Sequence, residues 1–422
     1  MKKRNDQSSI VSRRESLVGL TRRQFAARAG AGILSASVMD AGLVRGYAAN
    51  QKVKLGIVGC GGRGTWIAKF FARHGGYDVV AAADYFQDRV DDFGAQLQIP
   101  AARRYTGLSG YKRLLESDVE AVAIESPPYF HPEQAAAAVA AGKHVYLAKP
   151  IAVDVPGCQS IQASSRQATE KKRCFLVDFQ TRANAFYQEA IKRVHEGALG
   201  EVAFGESTYH ADNPFEEKYK YLEADPSNAE NRLRAWGLDR VLSGDIITEQ
   251  NIHTLDVQNW IMKAPPLSAV GTGGLKGRRK LGTCWDHFTI LFIYPQNVGI
   301  TFSSRQFKGH GTRPEGIRNR VFGSKGVLET EYGGQVLIRG DSFYRGGDTN
   351  RIYDEGAITN IATFHNDIST ANYQNLTTEP SVQSNLITIL GRTAAYEGRQ
   401  VTWSELLKNA QPLDARLQGL SD

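Results

Sequence analysis

The hydrophobic pattern from residue 52 to about 178 alternates between short apolar runs and longer alanine-rich or amphipathic segments. The runs have the length of buried strands, and the segments between them have the length of helices. Strands that alternate with helices indicate a parallel sheet that helices cover on both faces. The predicted strands are Val53–Val58, Val79–Ala83, Val119–Glu125, Lys143–Leu147 and Arg173–Val177, and the predicted helices include Thr65–Arg73, Pro132–Ala141 and Pro156–Thr169.

The pattern changes after about residue 178, where two helices are followed by alternating strands up to about residue 340 and then by helices again. The turn Pro295-Gln296-Asn297 predicts an antiparallel hairpin, and Thr402 with Glu405 forms a capping box that opens the last helix. The predicted elements are helices at Gln188–Glu196, Ile246–Met262, Ile361–Ala371 and Val382–Tyr396, strands at Asp286–Tyr294, Val298–Ser304, Val321–Phe322 and Val327–Glu329, and a loop at Gly271–Arg279.

Residues 1–49 do not have the pattern of a folded domain. They carry the pair Arg22-Arg23 followed by Phe25, a stretch of small residues, and further small residues that suit cleavage near position 48. This layout predicts a twin-arginine export signal and a bacterial periplasmic location, with a basic disordered tail as the alternative. The stretch is interrupted by Arg28 and Asp40 and is shorter than the ~20 apolar residues that span a bilayer, and no membrane span is predicted in the rest of the chain.

The formal net charge of +7 belongs mostly to this leader, because its nine Lys/Arg and three Asp/Glu contribute +6. The remaining 42 basic and 41 acidic residues nearly balance, so no basic face argues for a nucleic-acid partner. The chain after the leader is too long for a single core, and two domains are expected. Four cysteines lack the spacing of a zinc site or a disulfide framework and are predicted to be buried thiols; they are Cys60, Cys158, Cys174 and Cys284.

A glycine-rich turn follows the first predicted strand and leads into a helix. Gly59 permits the tight turn, Gly61 lets the backbone approach a pyrophosphate, and Gly64 lets the helix pack closely on the strand. Asp84 ends the next strand, where an acid accepts a hydrogen bond from a ribose 2′-hydroxyl and disfavours a 2′-phosphate. The turn, with Gly62 and Arg63 inside it, therefore predicts an NAD-binding Rossmann domain at residues 50–178, with NADP less favoured. A glycine-rich surface loop is the alternative.

Two further segments carry candidate chemistry. Lys149 ends a predicted strand at the edge where such sheets bind ligands, so it suits hydrogen bonding to a substrate oxygen, although a solvated lysine is equally consistent. Glu249 and His253 are four residues apart on a predicted helix and share a face with Asp256. Histidine suits proton transfer near neutral pH, and a carboxylate one turn away orients it. A metal site lacks further ligands at useful spacing and is not predicted, while a structural interface histidine remains open.

The turn after the strand Val119–Glu125 is stiffened by prolines and lies at the same edge of the sheet. Ser126 and Pro127 are candidates for cofactor contact there, and His131 is a candidate that is equally consistent with an ordinary helix-start residue. Weaker candidates for a polar sugar pocket are Arg182, Tyr209, His210, Trp236 and Asp256.

Together these motifs resemble the glucose–fructose oxidoreductase, inositol dehydrogenase and rhizopine-catabolism (Gfo/Idh/MocA) family over residues 52–408, in an exported subgroup. The resemblance implies that Lys149 and His253 flank the substrate beside the nicotinamide. It also implies a second α/β domain at 179–422 with a large open, mainly antiparallel sheet, which often builds homodimers or homotetramers, and last helices that pack back on the Rossmann domain. Ala148 departs from the family pattern, which has Glu before the lysine, and Glu249 stands where Asp is commoner.

Three functions are consistent with these residues. The first is an oxidoreductase that takes a hydride from a sugar or polyol hydroxyl onto tightly bound NAD, with His253 as the base and Lys149 stabilising the oxygen. The second is a redox-neutral glycosidase or lyase that passes through a 3-keto intermediate; the Lys149-Pro150 step favours the first. A non-catalytic sugar- or cofactor-binding protein is the third, and the presence of both Lys149 and His253 argues against it.

Overall fold

The structure is a computed structural model that describes residues 52–312 and 315–422. The leader, with its predicted twin-arginine signal, lies outside the described residues. The first sheet has six strands in the order β3-β2-β1-β4-β5-β6, and every pairing in it is parallel. The strands are β1 Val53–Val58, β2 Tyr77–Ala83, β3 Arg104–Tyr105, β4 Ala121–Ile124, β5 His144–Ala148 and β6 Phe175–Asp178.

Five helices connect these strands: α1 Gly62–His74, α2 Gln87–Gln96, α3 Gly110–Glu116, α4 His131–Ala140 and α5 Val155–Glu170. The predicted doubly wound parallel sheet is confirmed. The prediction missed β3, because a strand of two residues leaves no periodic signal. All four cysteines are buried and free, as predicted.

The second sheet has nine strands in the order β14-β13-β12-β11-β7-β10-β9-β8-β15, and only the pair β7/β10 is parallel. The predicted large, mainly antiparallel sheet is therefore confirmed. Its strands are β7 Val202–Ala211, β8 Ser268–Gly274, β9 His287–Ile293, β10 Gly299–Gln306, β11 Gly316–Gly323, β12 Gly326–Glu331, β13 Gln335–Gly340, β14 Tyr344–Asp348 and β15 Val401–Thr402.

The predicted loop Gly271–Arg279 is wrong in its first half, because β8 runs to Gly274. The glycines that suggested a loop instead permit close pairing with β9. A Cβ on Gly271 would lie 2.5 Å from the Thr289 carbonyl oxygen, and a Cβ on Gly273 would overlap the His287 carbonyl oxygen. Glycine in this strand marks a close backbone approach, which a sequence pattern does not distinguish from a turn.

The remaining helices are α6 Gln180–Ala183, α7 Ala185–His195, α8 Tyr219–Ala224, α9 Ala229–Arg234, α10 Arg240–Ser243, α11 Asp245–Glu249, α12 Ile252–Met262, α13 Ile352–Ser369, α14 Thr378–Glu397 and α15 Trp403–Lys408. The single helix predicted over 246–262 is thus two helices. The N–H groups of Gln250 and Asn251 both donate to the Ile246 carbonyl at 2.9 Å, so α11 closes in a wider turn before α12 begins. Thr402 caps the last helix as predicted, since it accepts from the Glu405 N–H at 3.2 Å, while the Glu405 carboxylate accepts from Arg399 instead of completing a capping box.

The helices near the C-terminus join the two sheets. α13 packs on α1, and α14 packs on both α5 and α12. Arg392 on α14 is buried and donates to the carbonyls of Gly244 and Val153, at 2.7 and 2.8 Å. The cleft described below therefore lies between parts that a shared helix holds in place.

One face of the second sheet packs on helices and the other is open. Along β9, alternate residues are buried and exposed, which is the pattern of a sheet covered on one side. The open face carries exposed apolar side chains, including Phe204 and Leu291, and ion pairs across the strands such as Glu206–Arg320. Among the described residues, no helix has the length and apolarity required to cross a membrane.

Candidate active site

The glycine turn after β1 has a backbone that side chains would obstruct. Gly59 has φ +96°, and a Cβ there would lie 2.5 Å from the Ser126 nitrogen. A Cβ on Gly64 would overlap the Gly59 carbonyl oxygen. Beside Gly62, by contrast, no protein atom lies within 4 Å of the added Cβ, so the space in front of the turn is open.

This turn is able to hold the phosphates of a dinucleotide. Gly61 is the N-cap of α1 and provides no side-chain cap, so the first N–H groups of the helix are left for a ligand. Such N–H groups with the helix dipole bind anions. The predicted cofactor residues Gly59, Gly61, Gly62 and Gly64 therefore form a cradle that fits a pyrophosphate.

Asp84 ends β2 and faces this turn. Its carboxylate accepts the Cys60 N–H at 2.7 Å and the Phe86 N–H at 3.0 Å, and burial raises its pKa. It lines an apolar recess together with Pro127 and Leu108. An acid fixed by backbone donors beside an apolar recess fits a ribose with its adenine, so the residues present fit the adenosine half of NAD.

The main cleft extends from the glycine turn to the second sheet and has a volume of about 660 Å³. Lys149 enters it from the end of β5 and is 9% exposed. Its Nζ donates to the Glu249 carbonyl oxygen at 2.7 Å and lies 3.6 Å from Glu249 Oε1. Burial lowers the pKa of Lys149; Glu249 opposes this and Arg63 adds to it. The lysine is therefore a fixed group that gives up a proton more readily than a solvated one.

His253 enters the cleft from the first turn of α12 and is 6% exposed. Burial lowers its pKa well below the usual value, and the positive charges of Lys149 and Arg63 add to the effect. Its Nδ1 is buried and has no hydrogen-bond partner among the residues that the structure describes, and its ring lies 5.3 Å from that of Tyr332. The imidazole is thus neutral at neutral pH and able to accept a proton.

Glu249 does not orient His253, contrary to the expectation from their spacing. The break between α11 and α12 separates the two residues, and the Glu249 carboxylate instead faces Lys149 and accepts from Gln250 Nε2. Gln250 Oε1 in turn accepts from the Tyr209 hydroxyl at 2.7 Å. Two hydrogen bonds and the Lys149–Glu249 ion pair therefore connect β7 to Lys149.

Arg63 has a role that the sequence did not suggest. Its guanidinium contacts two acids at the strand ends, with Nε 2.9 Å from Glu125 Oε2 and with Nη2 donating to Asp178. Nη1 donates to the Tyr353 hydroxyl at 3.2 Å. Arg63 therefore attaches the cofactor turn to the ends of β4 and β6.

The loop after β4 is held in place by contacts of its own polar side chains. Ser126 Oγ donates to Gln134 Oε1 at 2.6 Å and borders both the recess and the cleft. His131 is 1% exposed, and its two ring nitrogens lie 2.8 Å from the carbonyl oxygens of Pro150 and Ser126. Burial lowers the pKa of His131 to about 4. We assign His131 to positioning the loop, because it has no ring atom left for a cofactor.

The five predicted substrate residues divide into two groups. Tyr209 and Trp236 line the cleft. Arg182 and Asp256 pair with each other at 2.9 Å, and Asp256 is completely buried and also accepts from Ser384. His210 alternates with Tyr209 on β7 and contacts Ser303 at 3.1 Å. The last three are therefore outside the cleft, and their assignment to substrate is corrected.

Several residues that line the cleft were missed by the sequence reasoning. They are mostly aromatic or long polar side chains from separate elements, namely Arg89, Phe215, Gln250, Ile317, Tyr332 and Tyr353. None belongs to a local motif, so only the folded chain brings them together. Among residues 52–312 and 315–422, no group of three or more His, Cys, Asp or Glu is placed to hold a metal ion.

Comparison with known proteins identifies the class. A family described as an oxidoreductase family with an NAD-binding Rossmann fold (GFO_IDH_MocA) matches residues 53–179, and the GFO/IDH/MocA C-terminal domain matches residues 187–329. The chain therefore belongs to the Gfo/Idh/MocA family of oxidoreductases, and it is an enzyme with an NAD-binding Rossmann domain.

Individual relatives are more distant. Inositol 2-dehydrogenase of Rhizobium meliloti is 24% identical over 69% of this chain and 81% of its own length. Glycosyl hydrolase family 109 protein 3 of Phocaeicola vulgatus is 30% identical over a region that covers 38% of this chain and only 29% of that protein. The crystal structure of aldose-aldose oxidoreductase from Caulobacter crescentus, complexed with glycerol, has a TM-score of 0.66 at 21% identity and covers 83% of this chain and 100% of its own. This last likeness concerns the fold.

Proposed function

We propose that the protein oxidises a hydroxyl group of a sugar or a sugar-derived polyol with tightly bound NAD as the hydride acceptor. One observation carries the proposal: Lys149 and His253 enter the same cleft from different parts of the fold, next to the glycine turn. Both are almost completely buried, and burial lowers the pKa of each. A nitrogen base and a hydrogen-bond donor beside one cavity are the groups that alcohol oxidation requires.

Each group has a separate task. The neutral imidazole of His253 takes the hydroxyl proton, and Lys149, which is held by Glu249, donates a hydrogen bond to the oxygen as its charge develops. Tyr209 and Trp236 offer a hydroxyl and an aromatic face to a sugar ring. Bound NAD supplies the hydride acceptor, and the cradle at Gly59–Gly64 with Asp84 would hold it. Asp84 favours NAD over NADP, because a 2′-phosphate would meet its carboxylate.

The test is to identify the nucleotide in the purified protein and to follow its redox state. Denatured protein should release NAD, and myo-inositol or an aldose should convert part of the bound NAD to NADH, with the rise in absorbance that this reduction gives. An Asp84→Ser variant should retain less NAD and accept NADP more readily. Protein that contains no nucleotide and ignores added NAD and NADP would contradict the proposal.

A redox-neutral glycosidase or lyase is the second candidate, and the similarity to glycosyl hydrolase family 109 proteins favours it. That similarity spans about a third of those proteins, so it does not reach their whole substrate site. In this reaction the substrate would be oxidised at C3, the C2–H would lose a proton, and the glycosidic group would leave from C1 with a proton. In the glycosidase, water would then add at C1 and a proton at C2 before the hydride returns to C3, whereas in the lyase the hydride would return without addition of water. Release of the leaving group from an aryl glycoside without net change in the nicotinamide would favour this candidate.

We also propose that the chain is exported in folded form with its cofactor bound. Twin-arginine routes accept folded proteins, and free NAD is scarce outside the cytoplasm, so a bound cofactor would have to be recycled in place. Replacing Arg22 and Arg23 by lysine should retain the protein in the cytoplasm, whereas the single replacement Arg13→Lys should not. Periplasmic protein from the double variant would contradict this route.

The open face of the second sheet is proposed to pair with a second copy in a homodimer or homotetramer. Its apolar residues Phe204 and Leu291 and its ion pairs offer surface of both kinds to an identical partner. Light scattering should give a multiple of the chain mass, and Phe204→Asp together with Leu291→Asp should shift it to the monomer. A wild-type chain that is monomeric, or a double variant that keeps the mass of the wild-type oligomer, would exclude this interface.

A further inference from the structure

Three neighbouring strands of the first sheet end side by side at the cleft. Ile124 on β4 pairs with Leu147 on β5, so Glu125 follows next to Ala148. On the other side, Ala148 pairs with Asp178 on β6. Ala148, the residue before Lys149, has no carboxylate of its own. A carboxylate therefore lies on each side of it, from Glu125 and from Asp178.

Arg63 joins these two carboxylates. Its Nε lies 2.9 Å from Glu125 and its Nη2 donates to Asp178, while the carboxylates of both acids are completely buried. Two cations, Arg63 and Lys149, thus share a buried region with three acids, since Glu249 contacts Lys149. The group carries one negative charge too many when every acid is ionised, so it favours one additional proton.

The two flanking acids differ in how well they are satisfied. Asp178 also accepts from Asn360 Nδ2 at 2.7 Å and from Gln180 Nε2 at 3.2 Å. Neither oxygen of Glu125 accepts a well-aligned hydrogen bond. Hydrogen bonds to a carboxylate stabilise its charged form, so the additional proton belongs on Glu125, which receives fewer of them.

The electrostatics agree with this geometry. Burial raises the pKa of Glu125 to about 7; Arg63 opposes the rise, Asp178 adds to it, and Lys149 opposes it. The Tyr146 hydroxyl on β5 also faces this group and interacts with Glu125 and Asp178. The groups packed around Glu125 are therefore Arg63, Lys149, Asp178 and Tyr146, and together they hold its pKa close to physiological pH.

We propose that Glu125 is a positioning residue that stores the proton released when the substrate is oxidised, acting through Lys149. The inference rests on the proposed function. In the step, the substrate O–H bond breaks and its proton goes to His253, while the C–H pair leaves as hydride to NAD. His253 then gives a proton to Lys149 as Lys149 gives one to Glu125. One O–H bond forms on Glu125, both nitrogens return to their starting states, and reduction runs the same transfers backwards.

The structure gives a reason for this storage. A proton that rests on His253 meets the positive charges of Lys149 and Arg63 in a buried site; burial lowers the pKa of His253, and these charges add to the effect. Glu125, at the same sheet edge, is approached by Arg63 Nε but receives fewer hydrogen bonds than Asp178. When the proton rests on Glu125, the buried group of two cations and three acids has no net charge.

Infrared difference spectroscopy on the holoenzyme tests the proposal directly. The spectrum of the enzyme reduced with myo-inositol or an aldose, minus that of the NAD form, should show a new C=O band of a protonated carboxyl group. The band should be absent from the Glu125→Gln variant. A wild-type spectrum that gains no carboxyl band, or a variant that keeps it, overturns the proposal even if the variant is poorly folded.

The pH profile supplies the second readout. Substrate oxidation by the wild type should increase with pH through a limb near 7, since Glu125 must be ionised to accept the proton. Glu125→Gln should lose that limb and lower kcat about 10- to 100-fold, less than a direct proton-transfer group would. Glu120→Gln is the matched control, because Glu120 precedes the opposite end of β4, where its carboxylate accepts from the Lys54 N–H, and so should leave the profile unchanged.

A relocation variant separates storage from a merely structural role. Glu125→Gln combined with Ala148→Glu returns a carboxylate one strand away, beside Lys149, and should restore the limb and most of kcat. If Glu125→Gln keeps the wild-type limb, the proposal is wrong. If the wild type changes no nicotinamide with any of these probes, it is the proposed function that fails, so the two failures are distinct.

Discussion

One wall of the cleft is the carboxyl edge of the parallel sheet, and the other is formed by the α11–α12 junction with side chains from β7 and the turn after β12. The first wall depends on backbone: tight glycines, a helix N-terminus and strand ends. The second depends on side chains such as Tyr209, Tyr332 and His253, which come from distant parts of the chain. Under the proposed function, the first wall holds the cofactor and contributes Lys149, and the second wall contributes His253 and the other side chains that face the substrate.

The largest expected effect involves one residue from each wall. Lys149→Ala and His253→Ala should each lower turnover by ~10²–10⁴, because each removes a group that handles the substrate proton or oxygen. NAD content, measured by release on denaturation, should remain close to that of the wild type. The control is His210→Ala, on the opposite face of β7 from Tyr209. If His253→Ala is as active as this control, the second wall does not activate substrate.

The next largest effect is on stability. Asp256 is completely buried and paired with Arg182, so Asp256→Ala leaves a buried cation unpaired and should lower the free energy of unfolding by about 3–5 kcal/mol. Denaturant unfolding measures the change. Because the pair is outside the cleft, turnover per folded molecule should change little; a large loss of turnover in fully folded protein would return both residues to the substrate site.

Alanine substitutions at two glycines of the same turn should differ in their effects on stability and on NAD binding. Gly64→Ala forces a Cβ against the Gly59 carbonyl oxygen and should cost about 1–3 kcal/mol of stability and reduce bound NAD, whereas Gly62→Ala meets no protein atom. Thermal unfolding of both variants, with and without added NAD, measures this. Gly62→Ala should unfold like the wild type without NAD and respond more weakly to added NAD, since its methyl group points into the ligand space. Equal behaviour of the two variants would contradict the assigned geometry.

The smallest expected effect is a pH dependence of stability. The pKa of Glu125 in the folded protein, about 7, lies above its ordinary value of 4.5, so the folded state binds this proton more tightly than the unfolded state. That contribution is complete below about pH 4.5 and is lost as pH rises through 7. Glu125→Gln should therefore gain on the order of 1–2 kcal/mol relative to the wild type between pH 5 and pH 8. A difference that is constant across this range would mean that Glu125 does not titrate there.

The same contrast explains which features the sequence was able to predict. The glycine turn, Lys149 and the alternating strands are local patterns, and the structure contains each of them. The break at Gln250 and Asn251 was missed because neither residue is a helix breaker, and the wider turn depends on the fold around it. Arg182 and Asp256 were assigned to substrate because spacing defines a helix face but not the element that the face contacts.

Glu125 is the instructive intermediate case. Its place at the end of a predicted strand was evident, and so was the absence of an acid at Ala148, but the connection between them is a relation between neighbouring strands. Strand order and register place Glu125, Ala148 and Asp178 in one row. Neither the strand order nor the register is contained in any single segment. The two carboxylates beside Ala148 are therefore found only when the sheet is assembled.

The hydrogen bond between Arg63 and Tyr353 joins residues 290 positions apart. A ribosome that has released only the Rossmann half would therefore present a phosphate turn without the contact that closes its far side. Completion of this contact has to await synthesis of the chain as far as Tyr353. Under the proposed export in folded form, this contact orders three events: synthesis first, then nucleotide uptake, then departure.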